Sequence, residues 1–180
     1  MKITFISGLN ENNVMENEHV KQLNTYINEL GENFTKINLN NYNLKFCVAC
    51  DYCQNKNPGI CCNNDGCNDI YRNYLSSDKV IIIAPIAFGC FNSKTKNFID
   101  RAQLLSLPLQ TYKNKKTIMK PRYDKYPELI GIGVTDNMNK KEIDTFKSFI
   151  MNSNFAAFSK NVSAEVITYS NDLSFLKNLI

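Results

Sequence analysis

Cysteine is the residue type that first promises chemistry in this chain. Seven are present among 180 residues, and six of them fall between Cys47 and Cys67. A reducing compartment selects against idle exposed thiols, and an odd total does not suit a disulfide framework, so metal ligation or redox work explains the cluster better. A second feature is Ser7-Gly8, which leads from a short apolar run into a polar stretch and then a helical pattern. Such a loop presents backbone N–H groups at a helix amino terminus, a natural seat for a phosphate. It carries neither G-x-G-x-x-G nor a Walker sequence, and Glu11, Glu16 and Glu18 bring negative charge beside it. A third feature is Pro85 to Phe91, where Pro85 stops a strand, Gly89 permits close backbone approach, and Phe88 and Phe91 offer aromatic surface. The one histidine, His19, has no evident partner and reads as helix surface. That excludes Ser-His-Asp, Cys-His and multi-histidine metal sites.

These residues need elements to hold them. Residues 2–7 read as a strand, and Val20, Leu23, Ile27 and Leu30 then recur at helical spacing, with Gly31 as the stop. Residues 34–39 alternate as a weaker strand, and 68–75 form a short helix. Val80 to Ala84 is a continuous apolar run ending at Pro85, the pattern of a strand buried on both faces. Residues 94–105 look helical. A second apolar strand at 129–134, a long helix at 140–158, a strand at 162–168 and a last helix at 172–179 follow. Repeated β-α alternation with buried strands predicts an α/β fold, a doubly wound five-stranded parallel sheet with helices on both faces. No internal repeat or linker marks a second domain, so residues 1–180 read as one domain with a cysteine-rich insertion loop at 47–67. Ligands in such sheets bind beyond the carboxyl ends of the strands. The loops of interest are therefore 8–17, 85–93 and 135–139.

Composition narrows the function classes. Hydrophobic residues make up 43% and charged residues 21% of the chain, ordinary for a globular protein and against disorder. No run approaches the roughly 18 apolar residues of a membrane span. The amino-terminal apolar stretch is too short for a secretory signal, which predicts a cytoplasmic protein without membrane partners. A net charge of +4 is too small for an obligate nucleic-acid binder. Lysines and tyrosines do interleave between Tyr112 and Tyr126, a combination able to contact phosphates and stack bases, and the simpler reading is a solvated connecting loop.

The segment from Ala84 to Arg101 resembles the second flavin-binding loop of the NADPH-dependent FMN reductase family of flavodoxin-like proteins. Its members show a strand, then P-x-Y-F-G-S, then a helix with L-K-x-F-I-D-R, and Lys96, Phe98, Ile99, Asp100 and Arg101 match as they stand. Cys47, Cys50, Cys53 and Cys61 form C-x2-C-x2-C-x7-C, which resembles the iron-sulfur flavoprotein branch. The resemblance covers residues 1 to about 135 in layout and is specific at 47–61 and 80–101. It implies FMN, with Ser7, Asn10 and Asn12 or Asn13 toward the phosphate, Pro85, Ile86, Ala87, Phe88, Gly89, Cys90 and Phe91 along the ring, and Thr135 in the third loop. It further implies a [4Fe-4S] cluster on Cys47, Cys50, Cys53 and Cys61, with Cys62 or Cys67 as substitutes for the last. Four thiolates supply a cluster's terminal ligands, yet they suit structural zinc equally well, and buried thiols that bind nothing are a third state. NAD(P)H or ferredoxin as donor, a small-molecule or protein redox partner and a dimer or tetramer complete what the resemblance implies.

Departures from the family pattern are concentrated in the first loop. Where the family commonly reads G-S-P-R-x-x-G-N-T, this chain runs from Ser7 to Met15 without the Arg or the hydroxyls. Each lost charge-assisted bond removes about 1.5–3 kcal/mol from phosphate binding. Ala87 replaces the usual Tyr, and Cys90 stands where a small polar residue is common. The expectation is an FMN-dependent redox protein, and the alternative is a family member that has lost FMN and serves as a metal-binding or partner-binding module. RNA binding through residues 112–126 is a third, weaker reading, whose signature would be strong salt dependence.

Overall fold

The structure, a computed structural model, describes residues 1–30, 34–113, 115–137, 139–153 and 155–179. Strands β1 (Ile3–Ser7), β2 (Phe34–Asn38), β3 (Lys79–Ala87), β7 (Glu128–Thr135) and β8 (Val162–Thr168) form one parallel sheet in the order β2-β1-β3-β7-β8. In terms of the five parallel strands this is the 2-1-3-4-5 order of flavodoxin-like folds, whose switch point lies between the first and third strands. The expected doubly wound parallel sheet is therefore present. A two-residue strand, β4 (Cys90–Phe91), folds back antiparallel on the end of β3, pairing Ile86 with Phe91 and Ala87 with Cys90.

Strand alternation sorts the core into two layers. Val80, Ile82 and Ala84 of β3 face one side and Ile81 and Ile83 the other, all essentially inaccessible to solvent. On the second side lies α1 (Val14–Leu30), whose Val20, Leu23 and Ile27 are buried at the expected spacing. The expected stop at Gly31 lies outside the described residues. The first side is covered by α2 (Cys67–Leu75), α3 (Ser93–Asp100) and α4 (Lys140–Asn152), through Ile70, Tyr71, Tyr74, Phe98, Phe146 and Ile150. Burying each such side chain is worth about 1.5–3 kcal/mol, which holds the frame from which the loops project. Among the described residues no helix is long and apolar enough to cross a membrane.

Several expectations are corrected. The long helix expected at 140–158 ends at Asn152, because Ser153 turns to extended backbone and lets Phe155 fold back into the core against Tyr74, 5.1 Å between ring centroids. The last helix is a 3-10 turn at Ser174–Leu179, and the helix expected at 94–105 gives way to 3-10 geometry from Arg101. Residues 112–126 are not simply a solvated connection. They begin within an antiparallel hairpin of β5 (Ser106–Lys113) and β6 (Lys116–Pro121), and Arg122 then reaches inward to the carbonyls of Leu104 and Ser106. His19 is not helix surface either. It is fully buried, stacks on Tyr169, and its Nε2 lies 2.7 Å from the carbonyl of Asn171.

Candidate functional site

The carboxyl ends of β1 and β3 meet at the switch point, and two loops leave from there. The first runs from Gly8 to Asn13. Gly8 donates its N–H to the Ile83 carbonyl and accepts from Nδ2 of Asn92, which also caps α3 by accepting from the Thr95 amide and hydroxyl. A Cβ on Gly8 would lie 2.0 Å from Thr95 Oγ1, so only glycine permits this approach. Beyond it the chain bonds to itself. The Leu9 amide donates to Ser7 Oγ at 3.3 Å, Asn10 to the Glu16 carboxylate at 2.8 Å, Asn12 to Asn10 Oδ1 at 3.0 Å, and Met15 to Asn13 Oδ1 at 2.9 Å. Glu16 is buried, which pushes its carboxyl up, while the Asn10 bond pulls the other way.

The second loop is a tight turn at the tip of β3 and β4. Phe88 and Gly89 both have positive φ, 52° and 71°, as a two-residue hairpin of the primed type requires. Left-handed backbone at a bulky residue costs about 1–2 kcal/mol, and this one is fully solvent-exposed. Such strain is characteristic of functional turns. Gly89 donates to Glu142 of α4 at 3.2 Å, so the turn is braced from behind.

The sequence candidates divide accordingly. Pro85, Ile86, Ala87, Phe88, Gly89 and Cys90 line or flank this turn, whereas Phe91 points into the core against Phe146, 5.0 Å between ring centroids, and offers no free face. Asn10 and Asn12 are exposed in the first loop; Ser7 is buried with its hydroxyl turned back to Leu9. Thr135 closes β7 and accepts from the Asn137 amide at 3.1 Å.

The cysteine segment lies at the other end of α3. Cys47, Cys50, Cys53, Cys61 and Cys62 line one small cavity of about 30 Å³ together with Arg101. All seven cysteines are free thiols, and Cys50 and Cys62 stand 3.9 Å apart. The backbone carries further strain here, with Ala49 and Asp51 at positive φ. The Tyr52 amide lowers the Cys50 thiol, while burial, then the neighbouring Cys61, raises that of Cys53. Cys67 is different. It opens α2, is fully buried and does not line that cavity, so it is the poorest substitute for Cys61.

Arg101 and Asp65 hold this segment in place. Their side chains are almost completely buried and paired at 2.5 Å. Asp65 also accepts from the amides of Lys45 at 2.8 Å and Cys67 at 3.3 Å, and Arg101 donates to the Lys45 carbonyl and, at 3.1 Å, to Cys61 Sγ. Burial is the largest single influence and disfavours both charges, but it is outweighed jointly, on Asp65 by the Arg101 bond with the Lys45 and Cys67 amides and on Arg101 by the Asp65 bond with the neighbouring Cys67 and Cys61. Asp65 is thereby held below the ordinary carboxylate range and Arg101 above its own. Sequence reading marked Arg101 only as part of a motif. Nothing local announces Asp65, 36 residues away, as its partner.

These residues fit the two implied groups unequally. For a cluster, the donor set has the right chemistry, although among the described residues no three thiol, imidazole or carboxylate groups are drawn together for a single metal ion. For FMN, the strained turn suits a flat ring, but the first loop does not fit a phosphate dianion, because a carboxylate already takes its Asn10 N–H.

A family model described as NADPH-dependent FMN reductase matches residues 1–122. The chain belongs to that family. An iron-sulfur flavoprotein of Methanocaldococcus jannaschii is 30% identical over 80 residues, which cover 44% of this chain and 40% of that protein. One from Methanosarcina thermophila is 27% identical over 115 residues, 64% of this chain and 59% of that one. The matches thus span about half the length of these relatives. Among solved structures, the NAD(P)H:quinone oxidoreductase from Methanothermobacter marburgensis superimposes with a TM-score of 0.64 at 11% identity, covering 97% of this chain and 90% of that one. The azoreductase AzrA gives 0.61 at 11% identity, covering 99% and 91%. At such identity the likeness is one of fold.

Proposed function

We propose that this family member is an FMN-dependent oxidoreductase that passes electrons between a reduced donor, NAD(P)H or ferredoxin, and a small-molecule or protein acceptor. A [4Fe-4S] cluster on Cys47, Cys50, Cys53 and Cys61 completes the reading. The observation that carries it is the placement of the strained Phe88-Gly89 turn and the thiol-lined cavity at opposite ends of one eight-residue helix, α3. At 1.5 Å per residue that helix separates them by roughly 12 Å along its axis. A flavin and a cluster supply two-electron and one-electron chemistry respectively. The chain's residues bind and orient. Phe88 offers an exposed aromatic face, Gly89 lets the backbone approach, Glu142 braces the turn, and Arg101 donates toward the Cys61 sulfur, a contact of the kind that tunes a cluster's potential. Residues 1–180 act as one flavodoxin-like domain with 47–67 as its insertion, in the cytoplasm, as a dimer or tetramer.

The alternative module that has lost FMN draws on one observation, the self-bonded first loop. The visible spectrum of protein purified without oxygen separates the readings. Structured flavin bands over a broad, bleachable shoulder that vanishes in Cys50→Ser support the proposal. A colourless protein that takes up no added flavin favours the module, and iron content unchanged by Cys50→Ser overturns the ligand assignment.

A further inference from the structure

We infer that Glu16 fills the phosphate position of the first loop from within, so that the site recognises a flavin by its ring and sugar chain and gains nothing from its phosphate. The inference rests on the flavin reading above and specifies which flavins the site takes. A phosphate at a helix amino terminus needs free N–H donors, hydroxyls or a cation. Here the Asn10 N–H is held by the Glu16 carboxylate at 2.8 Å, and those of Leu9, Asn12 and Met15 by Ser7, Asn10 and Asn13 side chains. The Asn13 amide donates to the Asn10 carbonyl. No Lys or Arg occurs between Lys2 and Lys21. The residues that open α1, Val14 and Met15, are exposed and apolar, so their side chains add no donor. Glu11 supplies a second carboxylate, accepting from Asn38 Nδ2 at 3.3 Å.

Glu16 is not a casual neighbour. It sits in the first turn of α1, where the helix dipole favours an anion, and reaches back over the loop with only 7% of its surface exposed. Its carboxylate thus takes the backbone donor and the dipole field that a ligand phosphate would use. A dianion brought to the same place meets a like charge and an already bonded amide. FMN and riboflavin then bind alike.

The test titrates flavin-stripped protein separately with FMN and riboflavin, following the quenching of flavin fluorescence. Wild-type dissociation constants within about threefold of each other are expected, since no charge-assisted bond to phosphate distinguishes the ligands. Glu16→Gln keeps an acceptor for Asn10 while removing the charge, and should tighten FMN about tenfold with riboflavin little changed. Wild-type protein that binds FMN ten or more times tighter than riboflavin overturns the inference and leaves the flavin reading standing. A ratio unmoved by Glu16→Gln overturns the role of Glu16. Protein that melts cooperatively yet binds neither flavin overturns both. The wild-type ratio requires no substitution, so a variant that fails to fold does not block the test.

Discussion

The first loop and the cysteine segment both flank α3, yet they handle polar groups in opposite ways. In residues 8–16 the N–H groups of Leu9, Asn10, Asn12 and Met15 are bonded to side chains a few positions away, so the loop largely satisfies its own donors. Residues 47–62 are tied to side chains outside the segment, Arg101 and Asn68 at Cys61 and Arg122 at Cys53 and Gln54, while thiols such as Cys47, Cys50 and Cys62 stay exposed. A loop that satisfies itself has little left to offer a ligand. A loop anchored by a buried ion pair can keep its thiols available.

Removing the outside anchor breaks the contrast most severely. Arg101→Ala leaves Asp65 buried without its partner and should cost about 3–5 kcal/mol, read as a shift of the urea midpoint. An unchanged midpoint would mean the segment holds itself. Gly8→Ala attacks the other region, by forcing a methyl group against Thr95 and Ala84, and a loss of about 2–3 kcal/mol is expected. A loss below the error of the melt would show that the two loops part easily. Asp78 is a control at the amino ends of the strands, just before β3, where it accepts from Lys125 and from the Lys2 amide. The Lys125 bond foremost, then the Lys2 amide, holds its carboxyl below the ordinary range. Its contribution is therefore fully present above the ordinary range and lost as pH falls from there through the lowered value. Asp78→Asn should slightly flatten the acid limb of the stability curve and leave both loops intact. A change in flavin or iron binding would refute the separation.

The frame was legible because its signals are short-range. Val80 to Ala84 and residues 162–168 declare strands through continuous or alternating apolar residues, and the parallel sheet follows from the β-α alternation. The cysteines and the Phe88-Gly89 turn were visible as residue types, and the negative charge of Glu16 was visible beside the first loop. What stayed hidden depends on distant partners. His19 is buried by Asn171, 152 positions away, and Arg101 by Asp65. The β5–β6 hairpin escaped because its strands are rich in Lys and contain Pro108 and Pro121, so they lack the apolar alternation that marks a half-buried strand.

Helix α3 is too short to persist alone in water, and its neighbours hold it from both ends, Asn92 clasping Gly8 and Arg101 clasping Asp65. If it opens, both loops are released together. Turn, helix and the start of the cysteine segment are therefore expected to open as one unit, which amide exchange at a common free energy would show. Any ligand that binds only the closed unit raises that free energy for all of it. Occupancy at one end is then felt at the other as added rigidity, with no change of shape required.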